Sequence, residues 1–228
     1  MVKRYPQTIE APPLSRAAQR IIELPAKERE DLRVLSLIAK TDPVFLGNLL
    51  SAANAAVYGD MPAVTDALEA VKRLGAAASY DRLLAVCVAG VFPTPPSAMR
   101  HRNALIGRSV RISASLRRAC RVKDQDEGLA GLLGILESMG LYALLGNREG
   151  ADLAHLFESA LGAGSALGPS ANGYLCGYHL LSRKICAAWG APAAILNALH
   201  PFQATSLTFL LETVLIKEDV RDGYRVTP

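Results

Sequence analysis

The stretch "GLLGILESMGLYALL", from Gly131 to Leu145, determines how the second half of this sequence folds. Its residues are almost all apolar, and glycines recur at every third position from Gly128 to Gly134. That spacing favours close packing of helices, whereas a phosphate-binding loop would end in Lys followed by Ser or Thr. The only charged residue is Glu137, which is followed by Ser138. We interpret the stretch as a scaffold helix that packs through its apolar residues and carries Glu137 and Ser138 near its centre.

The remainder of the chain also predicts helices, so the expected fold class is all-α. Half of the 228 residues are hydrophobic, and the abundant Ala and Leu favour helices. Apolar residues from Leu14 to Ile22 follow the spacing i, i+3, i+4, i+7, and no strand-like alternation stands out. Thr65 and Ser79 are expected to cap helices. Single helices are expected over residues 99–122, 127–145 and 150–161.

The segment "FPTPP", Phe92 to Pro96, interrupts the helical pattern. Its three prolines cannot continue a helix, because proline lacks the backbone N–H and clashes with the preceding turn. We therefore expect two packed helical bundles joined at this segment. The N-terminal bundle is assigned to residues 1–91, the Pro-rich connection to 92–98 and the C-terminal bundle to 99–228.

The sequence predicts a cytoplasmic protein that does not insert into a membrane. The N-terminus is basic but lacks the apolar core of a signal peptide, and no apolar run reaches the ~18 residues of a transmembrane helix. The four cysteines form no C-x-x-C pair, which is typical of small buried residues in a reducing compartment. The net charge of +4 is too small to indicate nucleic-acid binding by itself.

Several short motifs carry a resemblance to a known family. The first half has a Pro-rich entry, an Asp-Pro helix start, an Asn before a Tyr-Gly turn and a Leu-Gly helix end, and the second half has Trp-Gly-x-Pro. The matching residues are Asp42, Pro43, Asn54, Tyr58, Gly59, Leu74, Gly75, Trp189, Gly190 and Pro192. Over roughly residues 9–200 the chain resembles the HDOD domain, an HD-related output domain of bacterial signalling proteins.

The resemblance implies both a fold and a role. HDOD domains are similar in fold to HD phosphohydrolases, so the second bundle is expected to be HD-domain-like. Members of the family generally lack the full set of metal ligands and act as regulatory or interaction modules. The resemblance therefore implies a protein that is not an enzyme, holds no cofactor and binds protein partners in a signalling pathway.

An HD-type metal site needs a His, an adjacent His-Asp pair and a distant Asp that converge on one or two ions. The sequence has four histidines and no His-Asp dipeptide. Alignment on Gly140 places Glu137 and Ser138 at the His-Asp positions. The first ligand position falls at Arg108, whose guanidinium cannot coordinate a metal. Three interpretations stay open: a polar pair between Arg108 and Glu137, a metal site that uses Glu137, or a Glu137 on a solvated face.

The segment between Asp81 and Asp124 contains many basic residues and no acidic one. On the predicted helix over 99–122, Arg111 and Arg118 are seven residues apart and share one face, with Arg108 nearby. This face is either solvated, with cations that favour the helix C-terminus, or an anion site for a nucleotide, a phosphorylated partner or an acidic protein surface. Nucleic acid is disfavoured because the helix lacks aromatic residues for stacking.

The candidate site residues are therefore Arg108, Arg111, Arg118, Glu137 and Ser138. The sequence predicts a non-catalytic regulatory or interaction module with a degenerate HD metal site. Two alternatives from other classes are a divergent metal-dependent phosphohydrolase and a nucleotide- or anion-sensing domain that binds without turnover.

Overall fold

The computed structural model describes residues 12–13, 16–55, 61–123, 126–146, 177–200 and 205–221. Helices account for 78% of the described residues and no strand occurs among them, which confirms the expected all-α fold. Contacts between Cα atoms divide the chain into two units. One unit runs from Leu14 to Val91. The other combines the N-terminal residues up to Pro13 with the chain from Phe92 onward, so Pro12 and Pro13 group with the second unit.

The described part of the Leu14–Val91 unit consists of helices whose starts are set by aspartates. Asp31, Asp42 and Asp66 accept hydrogen bonds from backbone N–H groups in the first turns of the helices that follow them. The predicted Thr65 cap is therefore wrong by one residue, and the last helix begins before the predicted Ser79 cap. The helices are α1 (Arg16–Ile22), α2 (Ala26–Arg29), α3 (Leu32–Lys40), α4 (Pro43–Ala53), α5 (Ala67–Leu74) and α6 (Ala76–Gly90).

Asn54 fixes the chain at the end of α4. Its side chain donates a hydrogen bond to Val64 O and accepts one from Val64 N, each at 2.8 Å. Arg73 on α5 donates from Nη1 to Ala53 O at 3.2 Å. These bonds give a physical reason for an Asn at this motif position, because only a side-chain amide both donates and accepts in this way. The motif residues Tyr58 and Gly59 lie outside the described residues.

The second unit begins with a short 3₁₀ turn at Pro96–Ala98 and continues in helices throughout its described part. Its longest helix, α7 (Met99–Val122), matches the expected range of 99–122. The predicted helix over 150–161 lies outside the described residues. The helices are α7 (Met99–Val122), α8 (Glu127–Leu136), α9 (Met139–Gly146), α10 (Gly177–Ala188), α11 (Ala193–Ala198) and α12 (Ser206–Arg221).

Glycines allow α7 and α8 to pack closely. A Cβ atom on Gly134 would lie 2.5 Å from both the Cα and the N of Ser113, which are backbone atoms of α7. A Cβ atom on Gly131 would overlap the guanidinium of Arg117. The helices approach to a distance at which no side chain fits between them, as the glycine spacing predicts. This contact fixes the position of α8, and with it the position of Glu137 and Ser138, which directly follow α8.

The helix expected over 127–145 is interrupted at Glu137 and Ser138, which separate α8 from α9. The Ser182 hydroxyl on α10 enters the gap. It donates to Glu137 O at 2.6 Å and accepts from Gly140 N at 2.8 Å. One side chain thus satisfies a carbonyl and an amide that a continuous helix would bond internally. Gly140 is needed here because a Cβ atom would overlap Tyr178 O.

Trp189, just after α10, holds two distant segments of the second unit. Its Nε1 donates to Pro12 O at 2.9 Å, and its ring centroid lies 6.5 Å from that of Phe92. Gly190 follows with a φ of 71°, a conformation that residues other than glycine rarely adopt. Gly190 therefore allows the chain to turn at the end of the helix, and Trp189 contacts both Pro12 and Phe92.

The stretch Glu127–Gly146 is long and apolar enough to cross a membrane by length and composition, so the expectation that no such stretch exists was wrong. Within its most apolar window, 83% of the residues are buried inside the protein. The core helix of a folded domain passes the same test, because a helix packed on all sides is apolar all round. We therefore describe α8 and α9 as core helices.

We expect Gly134→Ala to lower the free energy of unfolding by about 1–3 kcal/mol, because its Cβ would collide with the backbone of α7. Gly107→Ala on α7 is the matched control. A Cβ atom there would contact only the Arg111 guanidinium, at 3.8 Å, so the higher helix propensity of Ala should raise stability by about 0.5–1 kcal/mol. Urea unfolding measures the free energy of unfolding of both variants. Equal effects of the two substitutions would contradict the packing described for Gly134.

Candidate functional site

A cluster of buried polar side chains lies at the junction between α8 and α9. Arg108 reaches it from α7, and α10 contributes three further residues. Each of these side chains is almost completely inaccessible to solvent, although the surrounding residues are apolar. The members are Arg108, Glu137, Ser138, Tyr178, His179 and Ser182.

The centre of the cluster is an ion pair between Arg108 and Glu137. Arg108 Nη1 lies 2.7 Å from Glu137 Oε1, and the two side chains are 3% and 0% exposed. Arg108 Nη1 also lies 3.4 Å from Ser138 Oγ, and the Ser138 hydroxyl donates to the same Glu137 Oε1. Since buried charges are tolerated only when paired and hydrogen-bonded, Ser138 completes the pair.

The second carboxylate oxygen, Glu137 Oε2, is held by α10. The Tyr178 hydroxyl donates to it at 3.3 Å, and His179 Nε2 lies 3.5 Å from it. The rings of Tyr178 and His179 stack with their centroids 4.0 Å apart, so each ring restricts the other. Both oxygens of Glu137 therefore have partners from the protein.

A second polar contact lies beside the cluster. Ser109 Oγ and Tyr142 Oη are 3.4 Å apart, and both residues are buried. Burial raises the pKa of Tyr142, so its hydroxyl stays neutral at physiological pH. A neutral phenol and a neutral hydroxyl add no charge next to the Arg108–Glu137 pair.

Glu137 is ionised despite its complete burial. Burial alone raises the pKa of this carboxyl group, but the charge of Arg108, the contact with His179 and the Ser138 hydroxyl together lower it below its ordinary value. Attraction between the two charges is strong here because little water is present to screen it. The pair therefore remains a salt bridge throughout the neutral pH range.

The structure brings together three of the five residues singled out in the sequence: Arg108, Glu137 and Ser138. Arg111 is half-buried and Arg118 is exposed, whereas Arg108 is buried. Sequence reasoning did not assign Tyr178, His179 or Ser182 to the site. One feature of the sequence could have indicated α10. Two polar residues, His179 and Ser182, flank two leucines near its start.

The cluster does not fit a metal ion. Among the described residues, no group of three or more His, Cys, Asp or Glu side chains converges as metal ligands do. The one carboxylate of the cluster has a guanidinium 2.7 Å from its oxygen. A divalent cation bound to Glu137 would therefore face a fixed positive charge a few ångströms away, which is strongly unfavourable in a buried site.

These features define an all-α domain with a closed, charged centre in its second unit. The family model for the HDOD domain matches residues 11–200, so the chain belongs to the HDOD domain family. Membership is consistent with an output domain of signal transduction. No curated protein and no solved structure matches the chain.

We expect that removing one member of the central pair destabilises the protein more than removing both. Arg108→Met and Glu137→Leu should each lower the free energy of unfolding by about 3–5 kcal/mol, because each leaves the other charge buried and unpaired. The double substitution should cost less than either single change. Urea unfolding of the four proteins gives the coupling, and a double variant that loses the sum of the two single effects would contradict the pairing.

We also expect the pair to make stability depend on pH. Because the pKa of Glu137 is lowered in the folded state, its contribution is fully present above its ordinary pKa of 4.5 and is lost as the pH falls through the folded value. The double variant, which lacks both charges, should lose less stability than the wild type in this acidic range.

Glu127 provides the control for this pH dependence. A hydrogen bond from Arg121 lowers the pKa of Glu127, but this pair is exposed, so high salt should screen its contribution. Unfolding curves at low and high salt separate the two groups. If the double variant and the wild type respond identically to acid at high salt, the ionised, buried Glu137 is ruled out.

Proposed function

We propose that this chain is a non-catalytic regulatory or interaction module of bacterial signal transduction, in which an internal ion pair occupies the degenerate HD site. The observation that carries the proposal is the Arg108–Glu137 pair, 2.7 Å apart and closed to solvent. Membership of the HDOD family supports a role in signalling. The proposed partner is another protein, and the proposed compartment is the cytoplasm.

The geometry of the cluster supports the proposed lack of enzymatic activity. A hydrolase must bind its substrate next to a general base or a metal-bound water that solvent can reach. The carboxylate of Glu137 is fully buried and both of its oxygens accept contacts from the protein. In this arrangement the charge of Glu137 stabilises Arg108 and the α8–α9 junction rather than a reacting group.

The anion-sensing alternative is less well supported by the same contacts. It requires Arg108 and Arg111 to offer their guanidinium groups to a nucleotide. Arg108 is buried and its Nη1 is already bonded to Glu137, so a phosphate would have to replace that carboxylate inside the core. Such replacement would separate a buried ion pair, which is costly.

The proposal predicts that the purified protein retains no stoichiometric Mn, Fe or Ni after incubation and dialysis, as measured by mass spectrometry of the metals. It also predicts no hydrolysis of cyclic dinucleotides. The reason is the guanidinium that faces Glu137 where a metal would have to bind. Hydrolysis that needs a metal and disappears in Glu137→Ala would overturn the proposal and favour the phosphohydrolase alternative.

The interaction role has its own test. The full chain, tagged and expressed in its native cells, should capture at least one protein reproducibly, identified by mass spectrometry against an untagged control. The Arg108→Met/Glu137→Leu double variant should capture the same protein, because its changes are internal. A full chain that captures nothing above the control in repeated experiments would contradict this role.

A further inference from the structure

Two large apolar side chains on the second unit are mostly exposed to solvent. Val122, the last residue of α7, is 84% exposed, and Phe209 on α12 is 58% exposed. Among the described residues of this unit they are the most exposed large hydrophobic side chains, since Met99 and Leu180 are less than half exposed. Single exposed apolar residues are common on protein surfaces, so these two indicate a contact surface only together with the basic residues beside them.

Lys123 connects these two residues. It directly follows Val122, and its Nζ lies 5.6 Å from the centroid of the Phe209 ring. The end of α7 and the start of α12 therefore meet at this point. We define the α7–α12 patch as Arg118, Val122, Lys123 and Phe209. Arg118 belongs to it because it is exposed and lies one helical turn before Val122 on the same face.

The charge of this patch is positive. Among the described residues, neither Arg118 nor Lys123 forms an ion pair. The neighbouring Arg121 is already neutralised, because its Nε and Nη2 contact the two carboxylate oxygens of Glu127 at 2.9 and 2.7 Å. Asp126 is used as the cap of α8, where it accepts from Leu129 N.

The helix dipole alone does not account for this arrangement. Cations at the C-terminal end of a helix are stabilised by its carbonyl groups, which explains why Arg118 and Lys123 are tolerated there. It does not explain why Val122 and Phe209 expose apolar surface beside them. Aromatic and arginine side chains contribute most to protein–protein binding when a partner covers them, so the combination is typical of an interface.

We propose that the α7–α12 patch binds an acidic, partly apolar segment of a protein partner. Carboxylates of the partner would pair with Arg118 and Lys123, and an apolar side chain would cover Val122 and Phe209. This inference rests on the proposed interaction role and names the surface that performs it. Only one exposed aromatic ring is present in the patch, which does not provide the successive stacking sites that single-stranded nucleic acid uses.

A defined peptide tests the chemistry. The probe is a fluorescein-labelled amphipathic peptide of about 14 residues, with Leu and Phe on one helical face and Glu along its edges. Anisotropy should show binding to the full chain that weakens as salt is raised from about 50 to about 500 mM, because exposed charges are screened. The same peptide with Lys in place of Glu should not bind.

Substitutions assign the binding to the patch. The double substitutions V122S/F209S and R118E/K123E should each weaken binding of the peptide by about tenfold or more. The matched control is L37S/V44S, which removes two exposed apolar side chains from the other unit and should change affinity by less than about twofold. Circular dichroism and urea unfolding verify that all variants fold, which is expected because the changed side chains are exposed.

The outcomes separate this inference from the proposed function. If the peptide does not bind, or binds the patch variants as tightly as the wild type, the α7–α12 patch is not the interface. If the peptide binds the wild type more tightly than the patch variants, native-cell capture is repeated with the same variants. A partner captured equally by wild type and patch variants would overturn the patch and leave the interaction role standing, whereas loss of that partner from the patch variants alone supports both.

Discussion

The ion pair between Arg108 and Glu137 places two opposite charges, 2.7 Å apart, where water does not reach them. Taking these charges out of water is expensive, so the pair is stable only while each charge has its partner and its remaining hydrogen bonds. This requirement explains why polar side chains surround the pair. Ser138 and Tyr178 satisfy the carboxylate oxygens, and Ser182 holds the Glu137 backbone where the helix is interrupted. The same constraint links α7, the α8–α9 junction and α10.

Much of the fold follows from local chemistry that a single sequence displays. Helical spacing predicts the all-α class, and the glycines of α8 predict close packing against α7 because a side chain at Gly134 would meet the Ser113 backbone. The interruption of the helix after α8 could not be predicted in this way. It depends on the Ser182 hydroxyl, which is distant in sequence and replaces two backbone hydrogen bonds. Residues between Glu137 and Gly140 show no proline or other local signal for it.

Residues of the site could be predicted where the family resemblance draws attention to a position. Residues that reach the site only through the packing of helices could not be predicted. Arg108, Glu137 and Ser138 were singled out because the family resemblance aligns them with metal ligands, whereas Tyr178 and His179 reach Glu137 through the packing of α10. Shared helix faces were a weaker guide. A helix turns by about 100° per residue, so Arg111 points about 60° away from Arg108 and is only half-buried. Proximity along a helix therefore does not give Arg111 the burial of Arg108.

The packing of α7, the α8–α9 junction and α10 depends most on Glu137 being an ionised carboxylate held by Arg108 rather than a protonated acid or a free ligand. Carbon-13 NMR of the Glu137 carboxyl group, assigned by comparison with Glu137→Gln, measures this directly. We predict a pKa below the ordinary value of 4.5 and no change in the titration when Mg²⁺ or Zn²⁺ is added. A pKa above that value, or a resonance that shifts with a stoichiometric metal, would contradict the account.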